Sequence, residues 1–117
     1  MVANGINWKK NDKVVTTLME HHSNFIVWLR LKNRYGVHVD VIKPTDAQQN
    51  RLLDPADFEK RIDDHTKVVA LTHISNVFGT IEPIKEITEI AHEHGAFTVI
   101  DAAQSVPHIP PVDVSGY

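Results

Sequence analysis

The chain has 117 residues, enough for one domain, and a domain of that size buries about 65% of the surface its unfolded form exposes. Its 42% hydrophobic and 23% charged residues sit near globular averages and argue against disorder. A formal net charge of −3 gives no electrostatic reason to expect nucleic acid or an anionic membrane as partner, and the absence of cysteine excludes disulfides, thiolate metal sites and a cysteine nucleophile within these residues.

No apolar run approaches a membrane span, and Met1 to Lys10 has neither a signal-peptide core nor a clear element of structure. Lys13 to Met19 is short, β-branched and apolar, which predicts a buried strand. Ser23 or Asn24 is expected to cap a helix running to about Tyr35, with Phe25, Trp28, Leu29, Leu31 and Lys32 as its stripe and Gly36 as its terminator. Val37 to Ile42 reads as a second strand and Lys43 to Leu53 as loop. Asp54-Pro55 is an N-cap followed by proline in the first turn, opening a short helix to about Ile62. Lys67 to Thr72 is a third buried strand. Pro83 opens the clearest helix, with Ile84, Ile87, Ile90 and Ala91 on one face and Gly95 closing it. Ala96 to Ile100 is a fourth strand. Strands alternating with helices predict an α/β fold, a mainly parallel sheet with covering helices. Val106 to Tyr117 ends in loop, so the chain reads as a single domain cut from something longer.

Ligands of open parallel sheets bind just outside the carboxyl ends of the strands. Three of the four strands end in polar clusters there: Glu20-His21-His22-Ser23-Asn24, His73-Ile74-Ser75-Asn76 and Asp101-Ala102-Ala103-Gln104. Together they supply an imidazole, two amides and a carboxylate to one rim. A carboxylate at a buried strand end is costly unless it meets a cation or several donors. A protonated ring nitrogen would satisfy it, amides suit a phenolic oxygen, and an imidazole can stack on an aromatic ring. These are the demands of pyridoxal phosphate.

Each residue also has a plainer reading. Asp101 can cap a following turn, Asn76 can shape one, and Gln104 can be surface. His21 and His22 can be loop residues, and His73 a hydrogen-bonded core histidine. His92 and His94 suit a solvated helix end, where they favour the dipole; their i, i+2 spacing is poor for a metal, and no metal site is assigned. His38, His65 and His108 read as structural or surface. Asp63-Asp64 and Glu86/Glu89/Glu93 read as solvated faces.

Taken together in order, Glu20 to Asn24, Thr72-His73-Ile74-Ser75-Asn76-Val77-Phe78-Gly79-Thr80 and Val99-Ile100-Asp101-Ala102-Ala103-Gln104-Ser105-Val106-Pro107-His108 closely resemble the class V aminotransferase family. Within it the likeness is best to cysteine desulfurases and selenocysteine lyases, and it runs from about Val14 to Val114. The resemblance implies the large, cofactor-binding domain of fold-type I pyridoxal phosphate enzymes. It implies four cofactor-binding residues: His21 stacking over the ring, Asp101 opposite the pyridine nitrogen, and Asn76 and Gln104 around the phenolic oxygen and the substrate. Ala102 stands where many members have glycine.

The resemblance also says what to expect elsewhere. The lysine that forms the Schiff base with the cofactor belongs to a Ser-x-His-Lys motif beyond the aspartate, and no lysine here stands in one. The phosphate-gripping segment lies upstream of the stacking histidine. The nucleophilic cysteine of desulfurases comes from the far C-terminal part. The expectation is therefore a piece of a desulfurase that converts cysteine to alanine and passes sulfur on as a persulfide, inactive by itself because groups acting as a unit are lost together. The resemblance further implies an amino-acid substrate, a sulfur acceptor, a cytoplasmic homodimer, and a place in sulfur metabolism and iron–sulfur cluster assembly. An aminotransferase, epimerase or kynureninase-like hydrolase is the second reading, and a non-enzymatic α/β binding domain the third.

Overall fold

The computed structural model describes residues 2–44, 53–74 and 81–106. Four strands, β1 (Lys13–Thr17), β2 (His38–Ile42), β3 (Thr66–Thr72) and β4 (Phe97–Asp101), form one sheet in the order β2-β1-β3-β4, and every pairing is parallel. Val14, Val15, Val68 and Val69 on the two central strands have no exposed surface. Successive side chains of a strand point to opposite faces, so an unbroken apolar run means a sheet covered on both sides.

Two cores result. Val15, Val69 and Leu71 pack with Phe58 of α3 (Pro55–Arg61) and with Ile84, Ile87 and Ala91 of α4 (Ile84–Glu93). Val14, Val68 and Ala70 pack with Ala3 of α1 (Val2–Gly5) and with Trp28 and Leu31 of α2 (His22–Tyr35). The arrangement follows from the right-handed crossover rule. The chain moves from β1 to β2 in one direction with α2 on one face. From β2 to β3, and again from β3 to β4, it moves in the other direction, with α3 and α4 on the opposite face. The loops leaving β1 and β3 therefore diverge, which opens a crevice at the carboxyl ends of these strands.

Local signals account for the helix ends. Asp54 Oδ1 accepts from the backbone N–H of Ala56 at 2.9 Å, with Pro55 in the first turn. Gly36, at φ 68°, closes α2 by donating its N–H to the carbonyl of Lys32; that left-handed conformation favours glycine. Gly95, at φ 70°, follows α4 in the same way.

Several expectations are corrected. β1 stops at Thr17 instead of Met19, because the Thr17 hydroxyl accepts from Met19 N–H and turns the chain. The cap of α2 is His21, not Ser23 or Asn24: its Nδ1 accepts from Ser23 N–H at 3.3 Å. Leu29 is 38% exposed, so the buried stripe of α2 reduces to Trp28 and Leu31. Residues 2–5, read as featureless, form α1, whose Ala3 carbonyl accepts from Trp8 Nε1–H at 2.7 Å. Asp63 is not simply solvated, since its Oδ2 lies 2.7 Å from Lys13 Nζ. Most of the loop expected over Lys43 to Leu53, the turn at Asn76, His108 and the loop after Val106 lie outside the described residues. Among the described residues no helix is long and apolar enough to cross a membrane.

Candidate functional site

The site begins where β1 ends. Thr17 Oγ1 donates to Glu20 Oε1 at 2.8 Å, bending Leu18 to Glu20 back over the strand. Glu20 Oε1 also accepts from the backbone N–H of Thr72 at 2.8 Å, and Glu20 Oε2 accepts from the side-chain amide of Asn24. Burial pushes the Glu20 carboxyl up to about 7, against the pull of these three donors and with the help of the negative charge of Asp101. His21 follows. Its Nδ1 accepts from the Ser23 backbone and lies 2.9 Å from Ser23 Oγ, so the neutral ring carries its proton on Nε2.

Thr72 closes β3 in register with Asp101 of β4. The pair is extended by His73 N–H, which donates to the Asp101 carbonyl at 2.9 Å, and by the Thr72 hydroxyl, which donates to the Ile74 carbonyl at 3.0 Å. An isolated antiparallel bridge between Ile74 and Ile81 and the hydrogen bond from Glu82 N–H to the His73 carbonyl return the chain to the sheet before α4. Asp101 is half-buried. Its Oδ1 accepts from Ala103 N–H at 3.0 Å, and Ser105 and Val106 both donate their N–H to the Ala102 carbonyl, forming the turn that carries Gln104.

These three strand ends enclose a cavity of about 260 Å³. His21 and Ser23 line it from the β1–α2 loop, Thr72 and Ile74 from β3, and Asp101, Ala103 and Gln104 from β4. Complete small-molecule sites measure about 300–1,000 Å³, so the cavity has the dimensions of one wall of such a site. Three of the four residues singled out from the sequence, His21, Asp101 and Gln104, meet there; Asn76 lies outside the described residues. The plainer reading of Asp101 also holds in part, since one carboxylate oxygen caps the turn while the residue lines the cavity. Gln104 is exposed at the rim, and His73, with a buried Nδ1 that has no hydrogen-bond partner, does not line it.

The lining holds one carboxylate, one imidazole, one amide and two hydroxyls, with no Lys or Arg among the described residues. Such a set favours a flat, cationic heteroaromatic ring and provides no side-chain cation for a phosphate. Sequence reasoning missed Glu20 and Thr72 as organisers of this rim. The available signal was the hydroxyl at Thr17 three residues before an acid at a strand end, a local hydrogen-bonding pattern.

Comparison with known proteins matches residues 1–117 to the family Aminotransferase class-V. A probable cysteine desulfurase of Methanothermobacter thermautotrophicus is 47% identical over 114 residues, which cover 97% of this chain and 27% of that protein. The crystal structure of the cysteine desulfurase CsdA from Escherichia coli superposes with a TM-score of 0.81 at 29% identity, over 89% of this chain and 25% of that one. The apo cysteine desulfurase of Thermococcus onnurineus NA1 gives 0.77 at 42% identity, over 86% and 24%. The chain thus spans about a quarter of the length of the relatives it matches. The parallel α/β architecture expected from the resemblance is the one these solved enzymes share with it. Matched along its whole length, the chain belongs to the class V aminotransferases.

Proposed function

We propose that this chain forms the ring-binding wall of the pyridoxal phosphate site in a cysteine desulfurase, an enzyme that takes cysteine to alanine and transfers the sulfur as a persulfide. The observation that carries the reading is the convergence of His21, Asp101 and Gln104 on one cavity at the reversal point of the strand order. The relatives' names support the choice of reaction within the family.

The residues fit the cofactor by their chemistry. His21 offers a flat ring held through Nδ1, with Nε2–H free of that hydrogen bond. Asp101 keeps a carboxylate at the strand end, where it stabilises the proton of a pyridine nitrogen. Gln104 brings an amide to a phenolic oxygen, and Asn76 is assigned the same neighbourhood. When bound, the cofactor supplies an electron sink for the substrate's α-carbon. The described lining contains no lysine and the sequence no cysteine, so we assign the covalent anchor, the phosphate grip and the sulfur-accepting thiolate to other residues of the protein. On this reading residues 1–117 are one piece of the cofactor-binding domain, without turnover on their own. The homodimer, the protein sulfur acceptor, the cytoplasmic setting and the link to iron–sulfur cluster assembly rest on the family resemblance.

The test is a 15N NMR titration of the chain with pyridoxine 5′-phosphate, which lacks the aldehyde and cannot label surface lysines. The amides of His21, Thr72, Asp101 and Gln104 should shift together, and Asp101→Asn should abolish the effect. Scattered shifts, or shifts indifferent to that substitution, overturn the reading. In the native protein containing this chain, cysteine should yield alanine and transferable sulfur in equal amounts; transamination or racemisation instead would reject the desulfurase assignment.

A further inference from the structure

Glu20 does not line the cavity, yet it touches two of the strand ends that build it. Its Oε1 joins Thr17, at the end of β1, to the backbone of Thr72, at the end of β3, a residue 52 positions away. Its Oε2 holds Asn24, in the first turn of the helix that His21 caps. Thr72 in turn lies in register with Asp101, whose carbonyl accepts from the N–H of the next residue, His73. One carboxyl group thus stands between the imidazole and the carboxylate that face the ligand, bonded to the support of each.

Parallel strands have no tight turn to fix the relation of their ends. The hydrogen bond between Glu20 and Thr72 is a direct cross-link between the loop after β1 and the end of β3. Supporting contacts of this kind decide whether a site is held to within about half an ångström.

We propose that Glu20 is a positioning residue: by bridging Thr17, Asn24 and the Thr72 backbone it sets the spacing between His21 and Asp101. The inference rests on the reading of this cavity as the ring-binding wall of the cofactor site. It separates shape from charge. In Glu20→Gln the amide oxygen still accepts from Thr17 and Thr72, and the amide nitrogen can donate to Asn24 once that side chain turns over. Glu20→Ala loses all three.

The experiment compares the wild-type chain with E20Q and E20A by 15N NMR, first without ligand and then with pyridoxine 5′-phosphate as probe. Without ligand, E20A should move the amides of His21, Ser23, Thr72 and Asp101 together and speed their hydrogen exchange, while E20Q leaves them near wild type. With the probe, E20A should bind about tenfold more weakly, a loss of about 1.4 kcal/mol, and E20Q should recover most of that affinity. Rescue by the amide distinguishes positioning from a need for charge. If E20A does not fold, Asn24→Leu removes the Oε2 partner alone and should still move His21 and Thr72 together. Shifts confined to residues 17–24 overturn the proposal, as does a loss in E20Q equal to that in E20A. Failure of the wild-type chain to bind the probe counts against the cofactor reading, and the ligand-free spectra still decide the role of Glu20.

Discussion

Trp8 and Trp28 meet edge to face, with ring centroids 6.4 Å apart and planes inclined by 70°. The contact ties the segment before β1 to α2 and seals one of the two cores, where Trp28 is 1% exposed. Truncation of a buried aromatic removes its burial energy and leaves a cavity. Trp28→Ala is expected to cost about 3–5 kcal/mol, read as a lowered urea midpoint with unchanged slope.

A smaller effect is expected at the start of α3. Asp54 is exposed and its Oδ1 satisfies the N–H of Ala56. Asp54→Ala should destabilise by about 1 kcal/mol and Asp54→Ser by less, since serine can also cap. The same denaturation series measures both.

Glu20 gives stability an unusual dependence on pH. Its folded carboxyl is pushed from the ordinary 4.5 up to about 7, by burial and by the charge of Asp101 on β4. Between these values the folded state holds a proton that the unfolded state has released. Stability from this group is therefore full below about 4.5 and falls as pH rises toward 7, by roughly 3 kcal/mol at most. Asp63 works in the opposite sense: the hydrogen bond and charge of Lys13 hold it below the usual carboxylate range, so its contribution is lost as acid protonates it. Asp12 behaves likewise, with hydrogen bonds from the Lys9 backbone and Lys67 outweighing its burial. Thermal melts across pH should show a maximum on the acid side of neutrality, and Glu20→Gln should flatten the fall from there to pH 7.

β4 forms one edge of the sheet among the described residues, and Phe97 at its start is 62% exposed. Val106, beyond its far end, is 67% exposed. An exposed strand edge flanked by apolar side chains invites pairing with another chain. Sedimentation of the 117-residue chain should show association growing from micromolar to millimolar concentration, and Phe97→Lys should suppress it.

Much of this architecture was legible because its signals are local. The β-branched runs before Thr17 and Thr72 located the central strands, and Asp54-Pro55 located α3. The motif residues at the strand ends located three of the cavity's lining residues. What escaped has no standard local signal or depends on a contact distant in sequence. Four residues of α1 carry no helical signal, and their helix is held by a hydrogen bond from Trp8. The cap of α2 is a histidine, a residue rarely suited to that place, whose Nδ1 accepts only in one tautomer. Glu20 reads as a surface acid until the fold brings Thr72 over it.

The alternation of Val14 and Val15, mirrored by Val68 and Val69 on β3, has a mechanical meaning for the site above it. Sliding either strand by one residue would exchange the contents of the two helical layers wholesale. The register of the central pair is therefore held by the packing of both layers. Variants in the ladder should therefore alter how long the protein lasts, and variants at the exposed rim residue Gln104 what it prefers to hold.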